Sequence, residues 1–129
     1  MSTQTISVLL VGKSLEDGWL KRFQLFLADF GTPDLAQKTQ VMDRLQQTQY
    51  DLIILDEITL LSDYSFIQRV RQAQPASQVI VVTDVEDWRR ARQAFQYGAA
   101  DYVTTMIDPD NFRKVVQDVT SYAEYKGER

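Results

Sequence analysis

Short unbroken apolar runs alternate with amphipathic stretches along the whole chain. Residues 6–11 (ISVLLV), the LIIL core of YDLIILDE at 50–57, and residues 78–82 (QVIVV) are strand-sized and apolar at both parities. That pattern predicts strands covered on both faces, as in a parallel sheet sandwiched by helices. After the first run, Ser14 with Asp17 three residues on predicts a helix start. Leu15, Trp19, Phe23, Phe26, Leu27 and Phe30 then recur at helical spacing until Gly31 and Pro33 end the pattern. Residues 34–38, apolar only at Leu35 and Ala36, predict a short edge strand. Thr39 is positioned to cap a short helix carrying Val41, Met42 and Leu45. A further helix is expected over 62–73, with Phe66, Ile67 and Val70 inward and Pro75 beyond its end. Another is expected over 87–97, with Ala91, Ala94 and Phe95 inward and Gly98 as its stop. Residues 100–104 read as a fifth strand. Asp108-Pro109 opens a last helix carrying Phe112, Val115, Val116, Val119 and Tyr122.

Five strands therefore alternate with five helices. Parallel neighbours need crossover helices and the crossovers are right-handed, so the expected architecture is a flavodoxin-like α/β three-layer sandwich, a doubly wound parallel sheet of order 2-1-3-4-5. The chain reads as a single domain over 1–129, with 126–129 as a tail or the start of a linker.

Composition narrows the chemistry. Cysteine and histidine are absent from the 129 residues, which removes thiolate and imidazole nucleophiles, bases and metal ligands. A net charge of -4 and an isoelectric point near 4.7 speak against a nucleic-acid surface. No apolar run approaches the ~20 residues of a membrane helix, and residues 1–5 do not read as a signal peptide, so a cytoplasmic location is expected. Asp56, with Glu57 behind it, emerges from the central dry strand at its carboxyl end, the edge where open α/β sheets bind ligands. Gly12-Lys13-Ser14 imitates the end of a phosphate-binding loop, but Ser7 stands where that motif needs glycine and the residues between belong to a strand.

With these residues placed, the chain from about 6 to 122 resembles the receiver domain of bacterial two-component response regulators (CheY-like). YDLIILDE resembles the family's central strand, which puts the phospho-accepting aspartate on Asp56; Asp63 stands where the following loop usually carries an aspartate. QVIVVTD resembles the fourth strand, putting the switch hydroxyl on Thr83. Gly98 to Thr104, followed by Asp108-Pro109, resembles the run into the fifth strand and last helix, putting the switch aromatic on Tyr102.

The sequence also departs from the family. The acid pair that ends the first strand and holds a divalent metal is replaced by Gly12 and Lys13. The lysine and proline after the fifth strand are replaced by Thr105 and Met106, and the proline and glycine of the loop after Asp56 by Leu60 and Leu61. The resemblance is thus to a degenerate, or pseudo-, receiver. The expected module is not an enzyme, holds no metal or cofactor, and acts by phosphorylation-independent protein–protein contact. The partner would be a sensor kinase, an output protein or a second copy, met through the last two helices and fifth strand, with no nucleic acid or membrane. In that surface Trp88, Arg89, Arg90 and Arg92 on one helix lie beside Asp110, Asp118 and Glu124 on the other. Lys13 is expected to pair with Asp56 and take over the charge role of metal and lysine. The alternative is a phospho-accepting receiver with atypical Mg2+ ligation, in which Glu57 or Asp84 replaces the missing acids.

Overall fold

In the computed structural model, which describes residues 5–127 and side chains as far as Ser121, five strands alternate with five helices. They are β1 (Val8–Gly12), α1 (Gly18–Phe26), β2 (Asp34–Gln37), α2 (Val41–Gln47), β3 (Leu52–Asp56), α3 (Ser65–Ala73), β4 (Gln78–Thr83), α4 (Trp88–Gln96), β5 (Asp101–Thr104) and α5 (Pro109–Gly127). The strands form one sheet in the order β2-β1-β3-β4-β5, every pair parallel. The flavodoxin-like arrangement expected from the sequence is the one found. The side chains of Tyr122 and Glu124, and residues 128–129 of the expected tail, lie outside the described residues.

The two faces of the sheet bury separate apolar layers. Leu9, Val11, Ile53, Leu55, Val79 and Val81 pack with α2, α3 and α4 through Val41, Leu45, Phe66, Ile67, Val70 and Ala94. Val8, Leu10, Leu52, Ile54, Ile80 and Val82 pack with α1 and α5 through Leu20, Phe23, Phe112 and Val116. Burying each Leu, Ile or Val side chain completely contributes about 1.5–3 kcal/mol, so the unbroken apolar runs of β1, β3 and β4 anchor the fold. Phe23 and Phe112, with ring centroids 4.5 Å apart, join α1 to α5.

Local chemistry shifts several boundaries. The first helix begins at Gly18 rather than at residue 15, because the Asp17 carboxylate turns back to accept the Ser14 N–H (3.2 Å) and makes 14–17 a closed turn. Leu15 is left exposed in that turn. Thr39 caps nothing: it lies inside a 3₁₀ turn, Lys38–Gln40, whose capping box is formed by Gln37 and Gln40. The helix expected from residue 62 starts at Ser65. A 3₁₀ turn, Glu57–Leu60, is followed by Leu61 and Ser62 at φ of 49° and 66°, a left-handed pair that no right-handed helix can include. Met42 and Phe95 face outward, since one residue of helix rotates the side chain by about 100° and Ala94 takes the sheet-facing position. Asp87 and Asp108 do cap their helices, accepting the Arg89 and Arg90 N–H groups and the Asn111 N–H respectively.

Candidate functional site

Strand alternation decides what each residue at the carboxyl edge can touch. Asp56 shares the parity of Leu52 and Ile54 and faces the α1/α5 layer. Glu57, one residue on, faces the other layer together with Thr83 and Tyr102. Two adjacent carboxylates are thereby sent to different surroundings.

Asp56 is half-buried. Its Oδ2 accepts the indole N–H of Trp19 at 3.0 Å and its Oδ1 the Ile58 N–H at 3.3 Å. Burial raises its pKa to about 6; the Ile58 and Trp19 hydrogen bonds oppose the rise, and the charges of Asp84 and Asp17 add to it. Trp19, expected from its spacing to be core, is buried and packs edge-on against Phe23, but its polar tip reaches the site. No feature of the sequence pattern marks that second role.

The expected pairing of Lys13 with Asp56 does not form. Lys13 is exposed and makes no ion pair within 4 Å among the described residues, the chain turning at Ser14–Asp17 immediately after β1. The Asp17 carboxylate instead comes back to the end of β1. A Cβ placed on Gly12 would lie 3.1 Å from Asp17 Oδ2 and 2.9 Å from Leu20 Cδ1. Gly12 thus sits tightly against the returning turn, and an acid at position 12 would have to displace the ends of Leu20 and Asp17.

Beyond β5, Thr105 is buried; its hydroxyl donates to Asp84 Oδ1 at 2.8 Å, and its carbonyl accepts Arg22 Nη2 at 2.7 Å. Met106 beside it is exposed. A cavity of about 390 Å³ opens among Lys13, Asp17, Trp19, Arg22, Asp56 and Asp84. A hard dication in this cavity would need several oxygens at one point. Asp17 is engaged with Ser14 and Asp84 with Thr105, the Trp19 N–H is aimed at Asp56, and two cations share the walls. Among the described residues no group of three acidic side chains is placed to hold a metal ion together.

Glu57 is the centre of a second cluster. Its Oε1 accepts the Thr83 hydroxyl at 2.9 Å, and its Oε2 accepts the phenols of Tyr64 at 3.0 Å and Tyr102 at 2.9 Å. Arg90 Nε lies 3.1 Å from Oε1; its N–H is not aligned on that oxygen, so the contact is an ion pair. Burial, with a further push from Glu57, holds both phenols above their ordinary pKa, and they stay protonated donors near neutrality. Arg90 also donates from Nη2 to the Val85 carbonyl at 2.7 Å, and the Thr83 hydroxyl lies 3.2 Å from the Val85 N–H. The structure thus brings Thr83 and Tyr102 together, but around Glu57 rather than Asp56. Of the two acids considered as replacement ligands, Glu57 is fully engaged and Asp84 remains beside Asp56. Tyr64 and Arg90 complete a cluster in which the sequence had given roles to Thr83 and Tyr102 as switch residues and to Glu57 as a replacement carboxylate. Asp56, Glu57, Thr83, Asp84 and Arg90 all line a cavity of about 340 Å³.

Asp63 stands apart, accepting the Ser65 N–H and hydroxyl at the start of α3 and lying 3.6 Å from Arg69. On α4, Trp88 is largely exposed with Arg89 over its ring, while Arg90 is drawn inward. On α5, Asp110 pairs with Arg113 in its own helix at 2.7 Å. Among the described residues no helix is long and apolar enough to cross a membrane.

A family model described as the response regulator receiver domain matches residues 21–117, a span that begins after Gly12 and Lys13. The fold is similar to a response regulator from Thermotoga maritima, at 19% identity and TM-score 0.74, covering 91% of this chain and 98% of that one. It is similar to a CheY-like response regulator receiver domain protein from Methanospirillum hungatei JF-1, at 12% identity and TM-score 0.77, covering 95% and 99%. It is also similar to the beryllofluoride-activated NtrC4 receiver domain dimer, at 21% identity and TM-score 0.80, covering 91% and 98%. No curated protein matches the chain.

Proposed function

The chain belongs to the response regulator receiver domain family, and from that membership we propose that it is a degenerate receiver, signalling by protein–protein contact without phosphorylation of Asp56. The observation that carries this reading is the environment of Asp56. An aspartate attacks phosphorus as a charged nucleophile, and the charge gathering on the transferred group must be met by a metal ion and fixed cations. Here burial favours the protonated form of the carboxylate and Asp17 and Asp84 repel its charge, against the opposing hydrogen bonds from Ile58 and Trp19. Gly12, Lys13, Thr105 and Met106 occupy the places from which the family resemblance draws metal ligands and a cation.

The contact surface under this reading is the face of α4, β5 and α5. Trp88 and Phe95 are exposed there, and Trp and Arg are favoured interface anchors. The partner is a sensor kinase, an output protein or a second copy; a receiver dimer is named for the NtrC4 relative.

One observation favours the alternative of a phospho-accepting receiver with Mg2+. Asp56 still opens onto a cavity that it shares with Thr83 and Asp84. Incubation with a small phosphodonor and magnesium, followed by intact mass measurement, separates the two. The degenerate receiver stays unmodified, whereas a phosphoryl adduct that disappears in Asp56→Asn establishes the alternative.

A further inference from the structure

Glu57 collects donors from four separate elements: Thr83 at the end of β4, Arg90 in α4, Tyr102 in β5 and Tyr64 at the entrance to α3. Its side chain is 13% exposed. A carboxylate so far withdrawn from water persists only where its charge is matched, and each of the four donors would be poorly served without it. The cluster is also mechanically closed. Arg90 and Thr83 both reach Val85 in the β4–α4 loop, so the carboxylate, the loop and the first turn of α4 form one ring of hydrogen bonds closed by the Arg90–Glu57 ion pair. The residues presented by that loop and turn, Val85 and Trp88, are large, apolar and exposed.

We propose that Glu57 is a resident anion that fixes the β4–α4 loop and the β5 aromatic against the end of β3, so that the α4–β5 face keeps one arrangement whatever the state of Asp56. Thr83 and Tyr102, the two residues with which a receiver would answer a new negative charge at its site, are already satisfied by a permanent one. This deepens the phosphorylation-independent reading, and rests on it for the meaning of the switch residues, but the clamp itself is a separate claim. Glu57 acts as a positioning residue. A hydroxyl, a guanidinium and two phenols converging on one point form an oxyanion receptor, and removal of the side chain leaves that receptor vacant beside the 340 Å³ cavity.

Amide hydrogen exchange on purified variants tests this. Glu57→Ala is expected to raise exchange in residues 84–97 on the order of tenfold, as expected for loss of charge-assisted hydrogen bonds, while amides of β1 keep their protection. Acetate or inorganic phosphate, added as a small anion, restores protection in that segment. Glu57→Gln, which keeps the shape but not the charge, opens the same segment, and Asp56→Asn leaves it closed. The proposal is overturned if Glu57→Ala leaves 84–97 protected, if Gln preserves it fully, or if β1 opens to the same extent, which would make Glu57 a general stabiliser. It is equally overturned if Asp56→Asn opens the segment as widely. A phosphoryl adduct on Asp56 that leaves exchange in 84–97 unchanged would refute the degenerate reading and spare the clamp. A closed, unmodified Glu57→Ala protein would do the reverse.

Discussion

The indole N–H of Trp19 donates to Asp56 Oδ2 across 3.0 Å, joining the inner face of α1 to the end of β3. The same ring packs edge-on against Phe23, so its polar tip is aimed by the core rather than by the site. Trp19→Phe keeps most of the packing and removes the donor. Because the bond favours the charged carboxylate, its loss moves the Asp56 pKa above its value of about 6. The stability cost should be about 1–2 kcal/mol, a hydrogen bond to a charged group plus a small packing defect. Carbon-detected NMR of the aspartate carboxyl follows the titration directly, and a midpoint that stays put or falls would contradict the assignment.

Asp56 also makes stability depend on pH in a direction opposite to most surface acids. Its folded pKa of about 6 lies above the usual carboxylate range, so on raising the pH the unfolded chain gives up this proton first. The contribution therefore favours folding below about pH 4, declines between about pH 4 and 6, and is fully lost above. Two pH units correspond to about 3 kcal/mol, which solvent screening at a part-exposed carboxylate reduces to about 1 kcal/mol. Asp56→Asn cannot ionise. Urea unfolding should show the variant more stable than the parent by about that 1 kcal/mol at pH 7, with the difference vanishing near pH 4. A difference independent of pH would place its origin elsewhere.

Restoring an acid at position 12 is the obvious attempt to rebuild a metal site, and the structure predicts that it fails. A Cβ on Gly12 would meet Leu20 Cδ1 at 2.9 Å and Asp17 Oδ2 at 3.1 Å. Gly12→Asp adds a second charge against Asp17 and overpacks the start of α1, at a cost of about 1–3 kcal/mol. Calorimetric titration with magnesium should show no gain over the parent. Gly12→Asp combined with Asp17→Ala removes the charge conflict but not the contact with Leu20, and should recover only part of the lost stability.

What the sequence displayed and what it hid divide along physical lines. The runs at 6–11, 52–55 and 78–82 were legible because a strand dry on both faces needs no particular neighbour, only length and apolarity. Asp56 was legible because it ends the central dry strand at its carboxyl edge, whereas Thr83 and Tyr102 were singled out by the resemblance to the receiver family. Their partners were not. Whether Glu57 meets Arg90, or Trp19 meets Asp56, depends on side-chain parity combined with the rotation of a helix 33 or 37 positions away in the chain, respectively, which one-dimensional spacing does not carry. Lys13 shows the same limit. Its charge suggested a partner, but it lies exposed beside the turn closed by Asp17 and Ser14.

The last prediction concerns Gln74, the residue that follows α3. Gln74 is 3% exposed, and its amide is fully used. Its Nε2 donates to the Leu45 carbonyl at 2.9 Å and the Thr48 carbonyl at 2.6 Å, while its Oε1 accepts the Tyr50 N–H at 3.0 Å and the Ser77 hydroxyl at 2.7 Å. One side chain thus ties the end of α2, the approach to β3 and the turn into β4 at the edge opposite the site. Gln74→Leu fills the same volume but strands two carbonyls and one N–H away from bulk water, while the Ser77 hydroxyl keeps the Tyr50 carbonyl as its acceptor. Each unsatisfied group costs about 1–3 kcal/mol, and relaxation toward water offsets part of the sum, so a loss of about 3 kcal/mol is expected. Chemical denaturation measures it. Gln74→Glu is the sharper companion: it keeps an acceptor for Tyr50 and Ser77 but turns an oxygen toward two carbonyls, so it should be at least as destabilising at pH 7 and recover as the pH falls and the acid regains a proton to donate. Equal stability of Gln74→Leu and the parent would show that the amide is dispensable and that packing alone holds this edge.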